Sequence, residues 1–110
     1  MESKARYEVG TLFVVDNGEK GRNRYWLVLH KPTGLRVDGC KTLRLARVLA
    51  DLAWKRLGHV LAMERPTQPS EADYGSWKRT ANELVSIEAG IYRNGEALDL
   101  DAAMKEALSA

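Results

Sequence analysis

The chain has 110 residues, 45% hydrophobic and 29% charged, with a net charge of +2. These are ordinary values for one globular domain: two cores of half this length would each need metals or disulfides, and disorder would need fewer apolar residues. No apolar run approaches the ~18 residues of a membrane span, the N-terminal MESKARYEVG lacks an apolar signal region, and the single cysteine, Cys40, excludes an internal disulfide and suits a reducing cytoplasm.

Tyr7, Val9, Thr11, Phe13 and Val15 recur at period two, which predicts one strand over Tyr7–Val15. Asp16-Asn17-Gly18 ends it, and residues 16–23 read as a polar loop containing Lys20 and Arg22. Tyr25–His30 is a second strand. Trp26 and Val28 lie on one face and Leu27 and Leu29 on the other, so both faces are apolar, as in a central strand. Lys31-Pro32-Thr33-Gly34 has the residues of a tight turn. Leu35–Val37 is a short third strand stopped by Asp38-Gly39. Loops this short join antiparallel neighbours, so the three form a meander.

Thr42 is placed to cap a helix that runs to Leu57, with Gly58 at C′. Leu43, Leu45, Ala46, Leu49, Ala50, Leu52, Ala53, Trp54 and Leu57 fill a wide apolar sector, while Arg44, Arg47, Asp51 and Lys55 fill the opposite stripe. A sector this wide fits a helix lying across a sheet. Residues 59–65 admit strand or helix, and Val60–Glu64 is read as a short strand returning to the sheet. Arg65–Pro69 is a stiff connector. Ser70 with Asp73 marks the start of a second helix, Glu71–Tyr92, whose Tyr74, Trp77, Ala81, Leu84, Val85, Ile91 and Tyr92 share a face. Asn94-Gly95 ends this helix or makes a hairpin turn. Asp99 caps a last helix with Leu100, Ala103, Met104 and Leu108 on one side. The expected fold is a single α+β domain over residues 1–110. A three- or four-stranded antiparallel sheet is covered on one face by two or three helices, in the order βββα(β)αα. Trp26, Trp54 and Trp77 anchor its core, with Trp54 at the sheet–helix interface.

The charges are unevenly laid out: residues 1–40 carry +2, residues 41–65 carry +4 and residues 66–110 carry −4. This layout offers two candidate binding surfaces. The acidic one is Glu83, Glu88, Asp99 and Asp101, facing a partner protein. The basic one is Lys20, Arg22, Arg24, Arg44, Arg47 and Lys55, tracking nucleic-acid phosphates, although Asp51 stands four residues from both Arg47 and Lys55 and partly neutralises the stripe. No helix-turn-helix, RRM or zinc-finger pattern accompanies it. Glu88 falls inside the apolar stripe of the second helix, where a carboxylate needs a partner: an arginine of the first helix, a rim position, or an external protein.

Catalytic and metal chemistry have little to stand on. His30, His59 and Cys40 lack the paired spacing of a zinc site, so no metal and no cofactor is expected. Cys40, just ahead of a helix, is a candidate for a lowered thiol pKa, but no base-and-orienter set accompanies it and packing is its expected role. Lys41-Thr42 opens a helix as in a phosphate-binding loop, yet Cys40 stands where that motif needs glycine. A bare helix N-terminus there still has room for one anion. Leu27–Leu35 resembles the Lys-Pro-x-Gly stretch of pseudouridine synthases, over about nine residues. Those enzymes carry an Arg-Leu-Asp motif, whereas here Arg44-Leu45 is followed by Ala46. The catalytic carboxylate is missing, and the stretch is read as a turn.

Over its whole length the chain resembles the small accessory proteins of bacterial plasmids, integrative elements and phages, including anti-CRISPR and other anti-defence inhibitors. The resemblance is one of size, composition and element order, with no diagnostic motif. It implies a cytoplasmic, non-catalytic protein that occupies a surface of a larger protein or nucleoprotein complex. The rivals are a regulator that binds nucleic acid directly through the basic first helix, and a small enzyme or enzyme subunit.

Overall fold

The computed structural model describes residues 5–65, 68–90 and 98–109. Its elements are β1 (Tyr7–Val9), β2 (Leu12–Asp16), β3 (Trp26–His30), β4 (Arg36–Cys40), α1 (Leu43–Leu61), α2 (Glu71–Glu88) and α3 (Leu100–Ser109). The strands form one antiparallel sheet in the order β1-β2-β3-β4, which makes β3 an inner strand as its two apolar faces imply. α1 lies across all four strands on one face, and α2 and α3 pack on α1 and on each other. The α+β expectation holds, with four strands and three helices. Among the described residues no helix is long and apolar enough to cross a membrane.

The strand expected over Tyr7–Val15 is a hairpin. Val9 pairs with Leu12 across Gly10-Thr11, and Gly10 has φ +56, the pattern of a type II′ turn with glycine at the first central position. A two-residue turn inverts the facing of the residues beyond it. Tyr7 and Val9 therefore face the core together with Leu12 and Val14, while Phe13 and Val15 occupy the opposite face. A side chain at position 10 would also collide with Trp54, since a Cβ there falls 2.4 Å from the indole ring.

The third expected strand is longer than Leu35–Val37. β4 continues through Asp38-Gly39 to Cys40, with Val37 as the extra residue of a bulge between Arg36 (opposite Leu29) and Asp38 (opposite Val28). Gly39 is no stop signal. It makes room for the Tyr25 ring, which a Cβ would meet at 2.5 Å.

Thr42 caps α1 as expected, its hydroxyl accepting from the Leu45 N–H. The helix does not end at Leu57, and Val60–Glu64 is not a strand. Gly58 sits inside the helix, and one further turn buries Val60 and Leu61. The exposed end that this extension would create is satisfied by the sheet: the Leu61 carbonyl accepts from the Thr11 hydroxyl at 2.5 Å and from His30 Nε2 at 2.8 Å. A carbonyl only accepts, so Nε2 carries the proton and His30 Nδ1 accepts from the Thr33 hydroxyl at 2.8 Å. His30, 2% exposed, is thus a helix cap contributed by the sheet.

α2 opens as expected, with Ser70 Oγ accepting from the Asp73 N–H at 3.2 Å. It stops four residues early, because Gly90 adopts φ +71 and terminates it. Ile91, Tyr92 and the Asn94-Gly95 turn lie outside the described residues, as does part of the Arg65–Pro69 connector. Asp99 caps α3 by accepting from the Asp101 and Ala102 N–H groups. Trp26 and Trp77 are buried in the core, whereas Trp54 is half-buried at its margin, lying on the Gly10 turn and on Gly58. Trp54 thus lies between α1 and the sheet's first turn, as its expected interface position has it, but at the rim, so it does not anchor the core as Trp26 and Trp77 do.

Candidate nucleic-acid interface

Antiparallel order brings the start of β1, the end of β2, the start of β3 and the end of β4 to one end of the sheet. Arg6, the β2–β3 loop and the first turns of α1 therefore converge there. The loop is built around Asn17. Its Nδ2 donates to the Asn23 carbonyl at 2.8 Å, and its Oδ1 accepts from the Glu19 and Tyr25 N–H groups at 3.1 Å each. The 3-10 turn Gly21–Asn23 lies between these ties, and Lys20 and Arg22 project from the loop into solvent.

Three arginines at this end are held against aromatic rings. The Arg24 guanidinium lies 4.7 Å from the centre of the Trp26 indole, and Arg6 lies 5.9 Å from the same ring. Arg47, from the second turn of α1, lies 4.9 Å from the Tyr7 ring. Arg24 has one loose ion contact, 3.6 Å to Asp16, and the guanidiniums of Arg6 and Arg47 make no hydrogen bond or ion pair among the described residues. A guanidinium over a ring face is held by the ring's quadrupole while its N–H donors stay available to a ligand. Asp51 makes no ion pair with Arg47 among the described residues; its carboxylate accepts from the hydroxyl of Tyr7, whose ring Arg47 covers, so its charge stays close to the stripe. That hydrogen bond holds the phenol above its ordinary pKa, burial and the Asp51 charge add to the shift, and Arg47 opposes it. Arg6 escaped the sequence reading. Its contact is to a ring 20 positions away, and the only local signal is a base directly before the first strand.

The remaining basic candidates serve the fold. Arg44 pairs with Asp101 at 2.7 Å, and Lys55 donates to the Leu108 carbonyl at 2.9 Å, so both fasten α3 to α1. The acidic candidates are mostly committed within the fold. Glu88 accepts from the Lys41 N–H at 2.5 Å and from the Thr42 hydroxyl, which puts a carboxylate at the N-terminus of α1. Its partner is thus the start of the first helix rather than one of its arginines, and the anion position expected there is filled from within the chain. Asp99 caps α3, and Asp101 holds Arg44. Glu83 is exposed and uncommitted among the described residues, at the rim of a cleft of about 220 Å³ with Arg56, Thr80 and Glu106.

The thiol and histidine readings resolve in the same way. Burial pushes the Cys40 thiol up to about 12, with the Glu88 carboxylate adding to the shift, so the candidate lowering at a helix start is not realised and the thiol packs, as expected. His30 is spent on the α1 cap, and His59 is an exposed side chain 3.6 Å from Asp73. Among the described residues no three His, Cys, Asp or Glu side chains are grouped to hold a metal ion. The chain matches no protein-family model, no curated protein and no solved structure.

Proposed function

We propose that this is a non-catalytic nucleic-acid-binding protein that grips the phosphate backbone with one end of its sheet. The observation that carries this reading is the set of arginines held near aromatic rings, Arg6 and Arg24 over Trp26 and Arg47 over Tyr7, beside a loop stiffened by Asn17 that presents Lys20 and Arg22. Planar guanidiniums whose donors are largely unspent suit phosphate oxygens, and holding them in place lowers the entropy lost on binding. The competing reading, a protein partner on the acidic surface, has less support, because Glu88, Asp99 and Asp101 are bonded within the chain.

Fluorescence anisotropy with labelled duplex DNA and single-stranded RNA tests the proposal. Three or four phosphate contacts give an affinity that falls roughly a hundredfold between about 50 and 200 mM salt. Arg24→Glu combined with Arg47→Glu abolishes binding; the pair also gives up its ring contacts and adds charge beside Asp16 and Asp51, so circular dichroism checks that the variant is folded before its binding is read. Wild-type protein that binds neither nucleic acid at low salt, or binds with no salt dependence, overturns the reading.

A further inference from the structure

The sheet face turned away from α1 carries none of the described helices, yet its side chains are not those of a solvated face. Phe13 stands directly opposite Leu29, and Val15 directly opposite Leu27. Val15 is buried even here, and the other three are half-buried. An antiparallel sheet with one face in water normally alternates apolar and polar residues along each strand, and β3 departs from that alternation.

The charges around this face are ordered. One row crosses all four strands in register, running Glu8, Phe13, Leu29, Arg36. It has an acid on the β1 edge, a base on the β4 edge and two apolar residues between them. Glu8 also meets Lys31 at 2.7 Å, and the Arg36 guanidinium lies 5.4 Å from the Tyr25 ring with no ion pair among the described residues. A two-fold axis parallel to the strands, passing between β2 and β3, sets β1 of one copy over β4 of the other. Under that operation the row is complementary to itself. Glu8 meets Arg36 of the second copy, and Phe13 meets Leu29, at both ends of the pair.

We infer that a second copy of this chain covers the open face, giving an isologous dimer of two sheets packed face to face with near-aligned strands. The inference is independent of the nucleic-acid reading. Strands about 4.8 Å apart and five residues long offer a face of at most roughly 19 by 17 Å, well short of the ~800 Å² per partner of a standard interface. The dimer is therefore weak, with a Kd in the tens of micromolar or above, and visible as a concentration-dependent equilibrium.

Sedimentation equilibrium across a wide range of protein concentration tests the inference, with charge reversals as the specific probe. Glu8→Arg alone puts two bases together at each end of the row, Arg36→Glu alone puts two acids together, and each raises the Kd about tenfold or more. An equimolar mixture of the two single variants restores association, because every reversed residue then meets its opposite. Both positions are exposed, so the folded state is preserved, and circular dichroism checks this. A wild-type monomer at every concentration overturns the inference and leaves the face to a different protein. Dimerisation that neither reversal weakens, or that the mixture fails to restore, overturns it as well.

Discussion

Gly10→Ala strikes the fold at a point where two separate costs meet. An L-residue held at φ +56 costs about 1–2 kcal/mol through the clash of its Cβ with the backbone. That Cβ would also lie 2.4 Å from the Trp54 ring, so the indole must swing off the turn. Exposing about 50 Å² of ring at ~25 cal/mol per Å² adds about 1.3 kcal/mol, for a total of about 2–3 kcal/mol. In a Trp54→Ala background the second cost vanishes and the first remains, which predicts a coupling of about 1 kcal/mol between the two sites. Urea unfolding of the wild type, both single variants and the double variant measures it, read as shifts in midpoint at constant slope. If Gly10→Ala costs the same with and without the indole, Trp54 does not rest on the turn and the reasoning fails.

Gly58→Ala should do the reverse and stabilise by about 0.5–1 kcal/mol, because its Cβ would meet the same indole at an ordinary contact distance of 3.5 Å inside a helix; a lower melting temperature would count against that contact. His30→Leu fills the space but takes a buried donor from the Leu61 carbonyl, costing about 1–3 kcal/mol by chemical denaturation. Cys40 should resist iodoacetamide at about pH 8 until the protein is unfolded. Its folded pKa of about 12 lies above the unfolded value, so the stability it contributes is present below about pH 9 and is lost as pH rises toward 12; Cys40→Ala should flatten that alkaline loss in thermal melts. Asn17→Ala unties the β2–β3 loop and should weaken nucleic-acid binding several-fold with little change in its salt slope, because no charge is removed.

Sequence signals are reliable here where the chemistry is local. Thr42, Ser70 and Asp99 each cap the helix that their positions imply, and the apolar sector of α1 is the surface laid on the sheet. They mislead where a distant contact overrides a local preference. Gly58 reads as a helix end, but burial of Val60 and Leu61 and the cap from His30 and Thr11 carry the helix past it. Val9-Gly10-Thr11-Leu12 keeps an unbroken β-like composition, so a two-residue turn passes as strand and the faces beyond it are assigned in reverse. The candidate site is the least legible part. Side chains such as Glu88, Asp101 and Arg44 look available in a linear charge map and are consumed by contacts spanning 46 to 57 positions.

The Leu61 carbonyl also bears on the order of events in folding. Its two partners lie 50 and 31 positions away, in different hairpins, and the turns are themselves joined by the Lys31 N–H donating to the Thr11 carbonyl at 2.8 Å. The hairpins close over short loops and α1 forms from neighbouring residues, but this junction requires all three to be in place. Contacts that demand such long closures form after local ones. The junction therefore belongs to the downhill side of the folding barrier. Removing it should leave the refolding arm of a chevron almost unmoved and steepen escape from the native state, so that Thr11→Val and His30→Leu shorten the lifetime of the folded protein far more than they delay its formation.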